Sequence, residues 1–317
     1  MRTLVTGGAG FIGSHLVDAL LAAGHRVSVV DNLVTGSRAN LPDGAALIEA
    51  DVRDQEAIAR CFTQVTPSVV FHLAAQTLVA TSSSDPLRDA QINVLGTVNV
   101  IQAAIAAGTR KLVFASSGGT VYGNPLIQPV PETHDLRPIS PYGVSKVAGE
   151  HYVQVLCGRA GMASTVMRYG NVYGPRDIPA SHHVITAFLD ALLNGQPPII
   201  EWDGEQAKDY VYVADVAAAN VAAIAAGDGE AFNIASGVEI SVNEIFRLVC
   251  QEMEVDVQPL RVERRPADVR RFMLDCTRAD RMLGWTPTTS FADGLRQTVR
   301  YYRNQARLRR LRVVTVQ

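Results

Sequence analysis

Thr3-Leu4-Val5-Thr6-Gly7-Gly8-Ala9-Gly10-Phe11-Ile12-Gly13 stands almost at the start of the chain, and its reading decides the fold. An apolar run of strand character passes straight into a glycine cluster, and a helical pattern begins at about Phe11. In that context each glycine has its own task. Gly7 permits a tight turn, Gly10 lets a pyrophosphate approach the backbone, and Gly13 lets helix and strand pack closely. The helix N-terminus adds free N–H groups and a partial positive charge. Gly7, Gly10, Phe11, Ile12 and Gly13 are therefore the expected cradle of a dinucleotide.

Working outward, a second apolar run covers residues 26–30, and Asp31 ends it 18 positions after Gly13. An acidic side chain there accepts hydrogen bonds from both hydroxyls of an adenosine ribose and repels a 2′-phosphate, so the expected cofactor is NAD rather than NADP. Arg38, a little downstream, is the residue that speaks for the phosphate. Asn32, next to Asp31, is counted among the cofactor-binding residues. Asp51-Val52 follows the third run, where an aspartate either reaches the adenine amino group or caps a turn. The runs 46–49, 68–72, 111–115 and 164–167 are rich in Val, Ile, Leu and Phe and alternate with helical stretches. Continuous apolar strands of this kind predict a parallel sheet covered on both faces, a doubly wound Rossmann-type α/β layer with right-handed crossovers. After about Arg168 prolines and glycines recur, so residues 1–168 are expected to form the NAD-binding domain. Residues 169–317 would mainly form a smaller mixed α+β substrate domain, with segments such as 209–236 returning to the first.

Composition narrows the class of function. Hydrophobic residues make up 47% and charged ones 19%, too apolar for a disordered chain. Lys and Arg total 29 against 31 Asp and Glu, and a net charge of -2 supplies no field for nucleic acid or an anionic membrane. The four cysteines have no paired spacing, and the adjacent His182 and His183 lack a third ligand, so no metal is expected. No run approaches the roughly 18 apolar residues that span a bilayer, and the first residues have no signal-peptide pattern. The cytoplasm is the expected location. The basic end, with Arg303, Arg307, Arg309, Arg310 and Arg312, is read as a solvated terminal helix rather than a binding arm.

The chemistry is expected from Ser140-Pro-Tyr-Gly-Val-Ser-Lys-Val-Ala-Gly-Glu150. Proline suits the first position of a helix, and Tyr142 and Lys146, four residues apart, then share one face. A free phenol titrates near pH 10 and is a poor base. A neighbouring ammonium and a positive nicotinamide ring both favour the phenolate, which makes Tyr142 a general base.

Gly7 to Gly13, Phe71-His-Leu-Ala-Ala75, Ser116-Ser117 ahead of Val121-Tyr-Gly123, and Tyr142xxxLys146 resemble the extended short-chain dehydrogenase/reductase family. Arg168-Tyr-Gly-Asn-Val-Tyr-Gly-Pro-Arg176, Asp209-Tyr-Val-Tyr-Val-Ala-Asp215 and Phe232-Asn-Ile-Ala-Ser-Gly237 carry the similarity on, in the order seen in UDP-glucose 4-epimerases and UDP-uronate relatives. The resemblance covers about residues 1 to 300. It implies a 4-epimerase of a UDP-sugar that works through a 4-keto intermediate, and a homodimer. Ala74, Ala75, Asn93, Ser116 and Tyr169 would lie along NAD together with Tyr142 and Lys146. Asn171 would hold the substrate pyrophosphate, and Lys208, Tyr210, Arg265 and Asp268 the rest of the UDP portion. Lys208 departs from the more usual arginine and loses its planar fork. Phe272 would border the sugar, where a bulky ring argues against an N-acetyl group. Arg176 would meet a C6 carboxylate or be structural. The family's catalytic Ser or Thr position is Gly118 here, so Thr120 or Ser117 must supply the hydroxyl, or a water replaces it; Thr120 is preferred. A 4,6-dehydratase needs an acidic pair that Gly118-Gly119-Thr120 lacks. A 4-reductase, a decarboxylase or a nucleotide-binding relative without catalysis would share the same motifs.

Overall fold

The computed structural model describes residues 1–181, 183–263 and 270–314, the side chains of 309–314 excepted. The strands in chain order are β1 (Arg2–Thr6), β2 (Arg26–Asp31), β3 (Ala46–Glu49), β4 (Val69–His72), β5 (Lys111–Ser117), β6 (Ala163–Tyr169), β7 (Asn171–Tyr173), β8 (Ile199–Glu201), β9 (Ala207–Tyr212), β10 (Ala231–Ile234), β11 (Glu239–Ser241), β12 (Leu260–Val262) and β13 (Arg271–Phe272). Seven of them form one sheet in the order β10-β6-β5-β4-β1-β2-β3, with every pair parallel. This is the doubly wound Rossmann-type layer, and its order reverses between β1 and β4.

The strands read as continuous apolar runs because alternate residues serve two different cores. Val5, Val29, Phe71, Val113 and Met167 pack on one face with Leu16, Val17 and Leu20 of the first helix, Phe11–Ala22. Their neighbours Leu4, Val30, Val70, Leu112, Phe114 and Val166 pack on the other, against Ile58, Phe62, Val100 and Ile101.

After β6 the chain leaves the sheet and later comes back. The helix Val213–Ala222, rich in alanine, packs against the first helix, and β10 then pairs with β6 as the last strand of the large sheet. The separation is thus not a single cut after residue 168. A smaller layer is centred on β9, paired with β7 and β13 in parallel and with β11 antiparallel. Its core holds Ile185, Phe188, Leu189, Ile245, Val249, Leu295 and Val299. No described helix is long and apolar enough to cross a membrane.

Candidate active site

The glycine loop emerges from β1 at the reversal of strand order. Gly7 has φ +70, and a Cβ at Gly13 would lie 2.1 Å from the Gly7 carbonyl oxygen, so neither position admits a side chain in this backbone. The first helix starts with Gly10 as its N-cap and no side chain capping the first-turn N–H groups. Those donors suit the pyrophosphate of a dinucleotide. Asp31 is buried at the end of β2, where its Oδ2 accepts from Ala9 N–H and its Oδ1 from Leu33 N–H, both at 2.9 Å. The carboxylate thereby fixes the loop and places negative charge at the ribose end. Arg38 lies 3.7 Å from Glu49 of β3. Asp51 accepts from Asn32 Nδ2 and, through both oxygens, from Arg53; Arg53 beside it holds its carboxyl well below the usual range. Val52 is buried, and its carbonyl accepts from Asn99.

Helix Pro141–Ala160 carries the reactive pair. Ser140 caps it by accepting from Gly143 N–H at 3.1 Å, and Gly161 ends it in a left-handed conformation. Tyr142 and Lys146 are 8% and 5% exposed and lie above the C-terminal end of β5. Lys146 Nζ donates to the Ala115 carbonyl at 2.8 Å and sits 5.8 Å from the centre of the Tyr142 ring. Burial pushes the Lys146 ammonium down to about 8, opposed by Asp89 and Glu150. Burial also pushes the Tyr142 phenol up, partly offset by a hydrogen bond with Ser117.

Ser117 is the hydroxyl that acts on the Tyr142 phenol, while Thr120 is bonded locally. β5 runs through Ser117 and leaves it at the strand end. Thr120 lies in the following turn and donates to the Ser117 carbonyl at 3.4 Å, the local back-bond common for threonine. At Gly118 a Cβ would stand 2.7 Å from Leu274 Cδ1 and 3.2 Å from the Arg168 carbonyl oxygen. Gly118→Ser is accordingly expected to cost about 1 to 3 kcal/mol by overpacking, with much of it recovered when Leu274→Ala is added; thermal melts of the single and double variants check this.

Other expected site residues have the following partners, with Ala74 packed against Gly7 of the glycine loop. Ser116 gives its hydroxyl to Glu150, which is also held by Arg168 through Nη2 at 2.6 Å. The Tyr169 hydroxyl donates to Asn220 inside the core. Asn93 is 2% exposed and bonded to Gln76, Asp89 and Ser145, while Ala74 N–H donates to Thr6 and Ala75 follows in the same loop. Arg176 is paired with Asp18 of the first helix at 2.7 Å. Phe272 is 2% exposed among Val121, Tyr122, Val130 and Leu274, which leaves its ring almost no face for a sugar.

The small layer does assemble others. Asn171 stands opposite Tyr210 in the β7–β9 register, and Phe272 opposite Lys208 in β13–β9. Alternation puts Lys208 and Tyr210 on one face of β9. Arg265, Asp268 and His182 lie outside the described residues. Among the described residues no group of three His, Cys, Asp or Glu is placed to hold a metal ion. Sequence reasoning missed Glu150, although it lies on the Lys146 face one turn further on. It also missed Gln76, Asp89 and Asp18, for which no local pattern existed.

A glycine loop at the switch point and a buried tyrosine–lysine pair beyond β5 define a dinucleotide-binding α/β protein equipped for acid–base work on a bound substrate. Residues 3–235 match the model of the NAD dependent epimerase/dehydratase family, and the chain belongs to that family. The UDP-glucose 4-epimerase of Mycolicibacterium smegmatis is 42% identical over 313 residues, covering 96% of this chain and 100% of its own length. Among solved structures, the UDP-glucose 4-epimerase of Thermotoga maritima with UDP-glucose matches with a TM-score of 0.94 and 43% identity, over 96% of this chain and 99% of that one. The UDP-glucose 4-epimerase of Thermus thermophilus in complex with NAD matches with a TM-score of 0.89 and 39% identity, over 96% and 99%.

Proposed function

We propose that this chain is an NAD-dependent 4-epimerase that interconverts UDP-glucose and UDP-galactose through a 4-keto intermediate. The observation that carries the reading is the buried set Tyr142, Lys146 and Ser117 beyond the glycine loop, in a chain of the same length and fold as UDP-glucose 4-epimerases. The chemistry supplied by bound NAD is reversible acceptance of the sugar C4 hydride. Tyr142 takes the O4 proton as that hydride leaves and returns it after the ketose has turned over. Lys146, still mostly ammonium at pH 7 with its proton held to about 8, favours the phenolate. Ser117 bonds the Tyr142 hydroxyl and orients the sugar O4 beside it. Asn171, Lys208 and Tyr210 would hold the UDP portion, with Arg265 and Asp268, outside the described residues, assigned to it by the resemblance alone.

The hexose is favoured over the hexuronate because the Arg176 guanidinium is held by Asp18 rather than free for a C6 carboxylate. Dehydratase chemistry finds no carboxylate in Gly118-Gly119-Thr120. A cytoplasmic homodimer fits four free cysteines and an apolar face on which Val144, Tyr152 and Val155 of the Tyr142 helix are exposed near Leu87 and Leu95. Purified protein should carry NAD, run as a dimer, and turn over UDP-glucose at least about tenfold faster than UDP-glucuronate or UDP-N-acetylglucosamine. Protein without NAD and without interconversion of any UDP-sugar sinks the activity; equal rates on the glucuronate sink the choice of sugar.

A further inference from the structure

Helical backbone runs without a break through Pro86–Ala90, Gln91–Leu95 and Gly96–Ala106, and the middle piece is a wider π-helical turn. Such turns are rare and recur at functional sites. The inward side of this stretch holds both loops assigned to the cofactor. Asn93 accepts from Gln76 N–H at 2.8 Å and donates to the Gln76 carbonyl at 2.9 Å, which fixes the loop after β4 that carries Ala74 and Ala75. A Cβ at Gly96 would stand 2.7 Å from Val52 Cγ2, so helix and the loop after β3 meet with no room for a side chain. Asn99 Nδ2 then donates to the carbonyls of Val52 and Arg53, at 2.9 and 3.2 Å.

The outward side is of another kind. Leu87 and Leu95 are 77% and 58% exposed, and helix Pro141–Ala160, which packs alongside, exposes Val144, Tyr152 and Val155. From Gln91 to Thr109 the chain has no Asp, Glu, Lys or Arg, and in Pro141 to Gly158 the only two, Lys146 and Glu150, are buried. A two-fold contact sets a patch against its own copy, so an apolar surface without charge packs on itself where a charged one repels. A second copy of this chain is the occupant that this face fits. The two sides meet at one cleft of about 510 Å³, lined by Asp51, Arg53, Asp54, Gln91 and Leu95. Asp51 belongs to the adenine end of the proposed cofactor site, and Leu95 belongs at once to the cleft and to the apolar face.

We propose that a second copy of this chain, packed on this face, forms the outer wall of the cleft at the adenine end, so that NAD binding and dimer formation strengthen each other. Linkage makes the gain reciprocal: the factor by which the dimer tightens each NAD is the factor by which each bound NAD tightens the dimer. The proposal rests on NAD being the cofactor and on the homodimer of the preceding section.

Val155→Asp separates the two copies without touching the cleft, because Val155 is exposed on the neighbouring helix and does not line it. Leu87→Asp is added if one charge leaves the dimer whole, and dilution of the parent through its own dissociation gives the same comparison with no substitution. Sedimentation reads the mass, and calorimetric titration of protein freed of NAD reads the affinity. The monomer should bind NAD about tenfold more weakly than the parent dimer, within the roughly 5- to 150-fold range of such couplings. AMP, the adenine half, should lose the same factor, and nicotinamide mononucleotide should lose none. Saturating NAD should lower the dimer dissociation constant of the parent by that factor for each NAD bound. A folded monomer with the parent's affinity for NAD overturns the proposal, and so does a parent whose self-association ignores NAD. Failure of the underlying reading shows separately, in the parent alone, as a monomer at every concentration or as a titration with no NAD bound.

Discussion

Tyr142→Phe is expected to lower turnover of UDP-glucose by about 10³-fold while the protein keeps its fold and its NAD. General acid–base catalysis by a placed side chain is worth about 10² to 10⁴ in rate, and a loss near the middle of that range is expected because no second titratable group among the described residues is placed to take over the proton. The ring fills the same space in phenylalanine, and loss of the hydroxyl costs only about 1 kcal/mol. Rate and stability therefore separate cleanly. Steady-state kinetics with a thermal melt on the same preparation checks both, and a variant within tenfold of the parent would place the base elsewhere.

Arg168→Met is expected to produce the largest loss of stability, about 3 to 5 kcal/mol, seen as a fall in Tm of about 10 °C. Arg168 and Glu150 are 6% exposed, and the guanidinium also donates to the Tyr122 hydroxyl at 2.9 Å, which in turn donates to Asn233 at 2.8 Å. Methionine fills the stem of the arginine but leaves the buried Glu150 carboxylate without its ion-pair partner, with the Ser116 hydroxyl still donating to it. That carboxyl can then fold readily only when protonated, so its pKa in the folded variant rises above the unfolded value. The sign follows: stability of the variant improves as pH falls below that raised value and worsens as pH rises through it. Melts at pH 8 and pH 5.5 should show the deficit shrinking at the lower pH. An equal deficit at both would mean that the charge of Glu150 is answered by another group.

Much of the fold was legible because its determinants are local. The helix start at Phe11 and strands β3 and β10 carry their own periodicity and their own breakers within a few residues. Tyr142 and Lys146 could be paired because four residues along a helix always return to one face. Asp31 could be placed because a strand of known rise ends where the sequence turns polar. The cradle, the reactive pair and the layered α/β architecture were thus decided by the sequence itself.

The orientation of side chains was not, because it depends on partners far along the chain. Whether Ser117 or Thr120 is held in a strand or in a turn depends on where β5 stops, a boundary that local pattern places only to within a residue or two. Arg176 found Asp18, 158 residues away, Phe272 sank among Val121, Tyr122 and Val130, and Tyr169 gave its hydroxyl to Asn220, 51 residues on. Asp89, silent in the sequence, gained its neighbours only when the loop after β4 and the Tyr142 helix closed around it. Backbone periodicity is a property of a short segment, and the sequence determined it. Which polar group a buried side chain finds depends on several segments packing at once, and only the tertiary structure decided that.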